Sequence, residues 1–108
     1  MEDLVLKLRL RQDECPKRPY GWKPGMDEQE AWRAAQGDWR ASRKRVAACE
    51  RVIVLNPDSE VVCVVSISKV RKIAGSARIR ISGSVQKRSP LLGRTMVVNW
   101  SRNPVAYR

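Results

Sequence analysis

The chain has 108 residues, 22 Lys and Arg against 11 Asp and Glu, no histidine, and a formal net charge of +11. That length and an apolar content of 43% are those of one folded domain, residues 1–108, with one modest core. The lack of histidine removes Ser-His-Asp and Cys-His catalysis and every His-ligated metal centre, and neither a Walker loop nor G-x-G-x-x-G is present. The expectation is therefore a non-enzymatic protein with no cofactor.

Leu4, Leu6, Leu8 and Leu10 alternate with Val5, Lys7, Arg9 and Arg11, so a half-buried strand is predicted over 3–10. Residues 12–26 hold Pro16, Pro19, Pro24, Gly21 and Gly25, a loop composition that nevertheless carries Tyr20 and Trp22. Those aromatics either pack the loop onto the body or face a ligand. Asp27 and Glu30 have capping-box spacing and start a short helix over 28–36, stopped by Gly37, with Trp32 and Ala35 on its apolar side. Ser42 caps a second short helix over 43–49 that turns Val46 and Cys49 inward and Arg43, Lys44 and Arg45 mostly outward.

The remainder reads as strands. Residues 51–55 and 60–70 form a hairpin across the Asn56-Pro-Asp-Ser59 turn. Residues 77–82 alternate, with Ile79 and Ile81 on one side, Arg78 and Arg80 on the other, and Gly83 as the end. Leu91-Leu92-Gly93 is a docking segment, 95–100 a further strand, and 104–107 a short terminal one. The fold class is α+β: a small mixed, curled sheet closed by its first and last strands, with two short helices plugging one end.

Charge is distributed unevenly. All 11 acids lie at or before Glu60, whereas Val61 to Arg108 contains ten cations and no acid. Such a field attracts polyanions by neutralising phosphates and releasing counterions. DNA or RNA is the partner expected first, and an acidic host protein second. No stretch is apolar enough to span a membrane, and the amino terminus lacks signal-peptide character, so a cytoplasmic protein is expected. Cys15, Cys49 and Cys63 are widely spaced with no C-x-x-C pair, which reads as reduced thiols rather than a zinc site.

Three clusters are candidates for nucleic-acid binding. Trp39, Arg40, Arg43, Lys44 and Arg45 combine a stacking face with phosphate-holding cations; the competing reading makes Trp39 core and the cations solvated. Arg78 and Arg80 share one strand face, with Arg71 and Lys72 just before them, and serve either phosphates or the guarding of a sheet edge. Arg102 and Asn103 could read base edges, but Asn before Pro104 also shapes a turn. Asp27, Glu28 and Glu30 could be imagined around a metal, yet the cap accounts for Asp27 and Glu30 by itself.

The run Gly37-Asp-Trp-Arg40, the helix and strand that follow it to Leu55, Leu92-Gly93-Arg94 and Arg102-Asn-Pro-Val-Ala-Tyr107 together resemble small bacterial domains of the PUA-like superfamily, which includes EVE, ASCH and YTH domains. The resemblance covers residues 37–108. It implies a curled β-barrel with flanking helices that binds RNA, or DNA carrying modified bases, in an aromatic-lined pocket. Trp22 and Trp39, beside basic residues, are then the stacking candidates. The expectation is a non-catalytic nucleic-acid-binding module. The alternative is a small phage or mobile-element protein docking its basic face on an acidic host surface.

Overall fold

The computed structural model describes residues 3–8, 22, 25–36, 39–40, 42–75, 78–96 and 105–107, with the side chain of Arg40 left out. The expectations for Cys15, Tyr20, Gly37, Trp100, Arg102, Asn103 and most of the 12–26 loop lie outside the described residues. Eight elements follow in chain order: β1 (Leu4–Lys7), α1 (Glu28–Ala35), β2 (Trp39–Arg40), α2 (Arg43–Ala47), β3 (Arg51–Leu55), β4 (Val61–Lys72), β5 (Arg78–Val85) and β6 (Val105–Tyr107). The strands form one six-stranded sheet in the order β2-β5-β4-β3-β1-β6.

The sheet is mixed because β1 runs parallel to β3, a pairing that requires a crossover, here supplied by α1 and α2. β6 adds antiparallel to β1, pairing Leu4 with Tyr107, so the first strand does meet the last. Among the described residues the sheet is open: β2 and β6 are its two edges, and it does not close into a barrel.

Both helices are capped as their sequences require. Asp27 accepts from the Glu30 amide at 2.8 Å and the Glu30 carboxylate reaches back to the Asp27 amide, closing the capping box. The Ser42 hydroxyl accepts from the Arg45 amide at 3.3 Å. The helices do not plug an end of the sheet, as expected from chain order, but cover one face of it. The physical reason is the stripe Ala31, Trp32, Ala34 and Ala35 of α1 together with Val46 of α2. This stripe needs the row formed by Leu4, Leu6, Val52, Val54, Cys63, Val65, Val70, Ile79 and Ile81, and the two merge into one cluster.

A second, smaller cluster occupies the opposite face. Val5, Ile53, Leu55, Val61 and Val64 are buried there beneath Leu91, Leu92 and Met96. Backbone bonds hold that covering segment: the Val61 amide donates to the Arg94 carbonyl at 2.8 Å and the Gly93 amide to the Val61 carbonyl at 2.9 Å. The predicted docking role of Leu91 and Leu92 is thus met. Of the strand expected at 95–100, the described part is a single bridge from Thr95 to Glu60.

Two strand limits differ from the sequence reading. β5 does not end at Gly83 but runs on to Val85. Gly83 is there because a Cβ would collide with the Ser66 carbonyl oxygen and lie 2.7 Å from Val65 Cγ1 on β4. It marks a close approach of backbones rather than a stop. β4 extends past Val70 to Lys72, and its pairing with β5 shifts register between Ile67 and Lys69. That bulge at Ser68 reverses the inside-outside alternation. Val65 and Ile67 face the helices before it, and Val70 faces them after it.

Candidate nucleic-acid interface

The bulge decides where the cations of β4 point. Strict alternation from Val65 and Ile67 would send Lys69 and Arg71 toward the helices. With the extra residue, Val70 goes in, and Lys69 and Arg71 go to the opposite face, where both are exposed. On β5, Ile79 and Ile81 are buried under the helices, so Arg78, Arg80, Ser82 and Ser84 share the face of Lys69 and Arg71.

Cross-strand register assembles these into rows. Ser66 stands opposite Ser84, Lys69 opposite Ser82, and Arg71 opposite Arg80. At the β2 edge the backbone of Arg40 stands opposite Arg78. The uncovered end of the sheet therefore carries Lys69, Arg71, Arg78 and Arg80 around a floor of serines. Same-strand neighbours on one face are spaced by roughly 6–7 Å, the scale of successive phosphates along a nucleic-acid strand. Two like charges directly opposite each other disfavour pairing.

This face has a flank of different chemistry. Where β3 begins, Arg51 donates to Asp3 at 3.0 Å, and the pair adjoins an open depression lined also by Glu50, Ser66, Ile67 and Gln86. The Asp3 bond holds the Arg51 guanidinium proton more firmly than usual. The Gln86 amide donates to the Ser66 hydroxyl. The lining of this depression carries the carboxylates of Asp3 and Glu50 beside Arg51, whereas the rows on the distal half of β4 and β5 hold cations and serines alone.

The sequence-predicted residues divide between two faces. Arg71, Arg78 and Arg80 lie on the uncovered face. Arg43, Lys44 and Arg45 are exposed on α2, which packs on the other side. Arg45 is placed by a specific contact, its guanidinium 3.8 Å over the Tyr107 ring, which ties α2 to β6. Lys72 is exposed on the helix side, across from Ile79. Arg102 and Asn103 lie outside the described residues.

The two aromatic candidates stand on the helix side as well. Trp39 is half-buried against the main cluster and its indole N–H donates to the Ala35 carbonyl at 2.6 Å. That bond joins β2 to the end of α1. Trp22 is half-buried against the same cluster. Trp32 is core, as expected. Among the described residues its indole nitrogen has no hydrogen-bond partner.

Lys69 and the serine rows were not picked out from sequence, because unbroken alternation gives Lys69 the face of Ile67. The one available signal was Val70, an apolar residue out of phase with Val65 and Ile67.

Cys49 and Cys63 are buried and unbridged. Burial, with a smaller contribution from Glu28, pushes the Cys63 thiol up to about 12, so it is neither a nucleophile nor a ligand near neutrality. Among the described residues no group of three Cys, Asp or Glu side chains is placed to hold a metal ion, and no helix is long and apolar enough to cross a membrane. No protein-family model, curated protein or solved structure matches the chain.

Proposed function

We propose that this protein is a non-catalytic nucleic-acid-binding module that holds phosphates on the uncovered, serine-floored face of β4 and β5. The observation that carries the reading is the placement of Lys69, Arg71, Arg78 and Arg80 on one sheet face by the Ser68 bulge and the β5 alternation. A sheet face without an apolar cover among the described residues, and lined with cations, suits a polyanion, because attraction there costs no desolvation of a core. Arg and Ser donors can grip phosphate oxygens without reading sequence. Trp22 and Trp39 pack on the other side, so the affinity is assigned to electrostatics rather than to an aromatic pocket.

On the same reading the chain is a small PUA-like domain. Its mixed sheet with two helices is compatible with that kinship, although the sheet is open. A cytoplasmic location follows from the same proposal.

The test is binding of labelled single- and double-stranded oligonucleotides across salt concentrations. Neutralising about five phosphates predicts a slope of log K against log salt of about −4 to −5. Micromolar or tighter binding at low salt with that slope is expected. A flat salt response, or no binding of either probe, would overturn the proposal.

A further inference from the structure

The cation rows of the uncovered face end at the depression where β3 begins. Asp3, one residue before β1, stands level with Arg51, because Leu4 pairs with Val52. Arg51 is opposite Ser66, and Ser66 is opposite Ser84. One polar row thus crosses four neighbouring strands, roughly 6–7 Å from the Lys69–Ser82 row. Asp3, Arg51 and Ser66 line a depression of about 790 Å³ together with Gln86. That volume lies within the range of about 300–1,000 Å³ usual for small-ligand sites.

The chemistry here is the reverse of the rows beside it. No acid follows Glu60 in the sequence, yet the chain brings the carboxylates of Asp3 and Glu50 to this one place. A carboxylate repels a phosphate but accepts from the amino group of a neutral base. Arg51 bonds Asp3 at Oδ2, which offsets the charge of Asp3 and leaves Oδ1 as an acceptor among the described residues. Gln86 spends an amide N–H on Ser66, so its carbonyl oxygen Oε1 is a second acceptor. We propose that the depression holds one unpaired nucleobase that bears an exocyclic amino group. The amino group donates to Asp3 Oδ1 and Gln86 Oε1, while Lys69 and Arg71 hold the adjoining phosphates. A paired base turns its Watson–Crick edge to its partner, so the subsite serves single strands. No aromatic side chain lines it among the described residues, so selection is by hydrogen bonding rather than stacking. The inference rests on the nucleic-acid function proposed above and adds a base-selecting subsite to it.

The experiment compares oligodeoxycytidine with oligodeoxyuridine of equal length, because cytosine carries an amino group where uracil carries a carbonyl oxygen. The parent is expected to bind the cytidine strand about fivefold tighter or more. That ratio should not change with salt, since a base contact releases no counterion. In Gln86→Leu and in Asp3→Ala the ratio should fall below about twofold, as one acceptor of the amino group is lost in each. Losing Asp3 frees Arg51 and should tighten both strands, so the ratio and not the absolute affinity is read. Annealing each strand to its complement should also abolish the difference. Equal binding of the two single strands by the parent, a ratio kept in both variants, or the same ratio in the duplexes would overturn the subsite while leaving nucleic-acid binding in place. If no probe binds the parent, both proposals fall.

Discussion

The two halves of the sheet face that looks away from the helices are built on opposite principles. At the half made by β1, β3, β6 and the first residues of β4, Val5, Ile53 and Val64 are buried beneath Leu91, Leu92 and Met96, so the sheet is packed on both sides. At the β4–β5 end, the corresponding rows are Ser66–Ser84, Lys69–Ser82 and Arg71–Arg80, exposed or nearly so. The first half stabilises the fold by removing apolar area from water, at roughly 25 cal/mol per Å². The second removes little apolar area from water, since its rows are serines and cations. That face is therefore available for a partner only where the covering segment stops.

The largest effect is expected from disturbing the device that separates the halves. Inserting one further residue beside Ser68 shifts the phase of everything beyond it by one, driving Lys69 and Arg71 toward the helices and Val70 into solvent. Two cations forced into an apolar row should cost on the order of 4–5 kcal/mol, enough to unfold a small domain. Deleting Ser68 keeps Val70 inward and Lys69 and Arg71 outward and should cost far less. Chemical denaturation of the two variants checks this. An insertion variant as stable as the parent would mean that the residue count at the bulge does not set the face of these cations.

Next comes the core on the helix side. Trp32→Ala should cost about 3–5 kcal/mol, as a lost core aromatic does. Trp32→Phe should cost far less, because the indole N–H it removes has no partner among the described residues. Urea midpoints of the two variants separate loss of volume from loss of a donor. Equal costs would reveal that the indole nitrogen is bonded.

The two halves of the argument were not equally legible in the sequence. The capping box at Asp27 and Glu30, the Ser42 cap, the hairpin around Asn56 and the alternation at Ile79 and Ile81 are local, and each could be read from spacing alone. Asn56, for example, closes its turn with its own side chain, accepting from the Asp58 and Glu60 amides at 3.0 and 2.9 Å. What could not be read depends on contacts distant in sequence. Gly83 looks like a terminator until Ser66 of the neighbouring strand is placed beside it. β2 is two residues long and carries no period. The run Arg43-Lys44-Arg45 and the pair Arg78 and Arg80 are two basic clusters in the sequence, but which side of the sheet receives α2 is decided by packing, and it puts them on opposite sides.

A pH effect of intermediate size follows from Cys63. Its thiol is raised in the fold from an ordinary value near 9 to about 12, chiefly by burial. The folded state therefore keeps a proton that the unfolded state loses. The stability this represents is complete below pH 9 and is lost as pH rises from there toward 12. At pH 10 the loss should be about 1 kcal/mol. Melting temperatures of the parent should thus fall more between pH 8 and pH 10 than those of Cys63→Ala. Parallel curves would show that the thiol is not the titrating group.

The smallest effect belongs to the helix-side cations. Arg45→Ala removes the contact over Tyr107 and should cost about 0.5–1 kcal/mol, the worth of an exposed cation–π pair. Arg43→Ala, which leaves that contact intact, should be neutral within about 0.5 kcal/mol. Neither should change nucleic-acid affinity as much as Arg71→Gln, a comparison that tests the proposed uncovered face against α2.

The most direct measurement of the central claim is a residue-by-residue footprint. Amide chemical shifts of the isotope-labelled protein, recorded while a DNA duplex is added at low salt, compare both halves of the same face at once. The account predicts shifts concentrated at Lys69–Lys72 and Arg78–Ser84, with Ile53, Val64 and Leu91–Leu92 unmoved. Shifts confined to α2 or to the covered half, or none at saturating DNA, would contradict it.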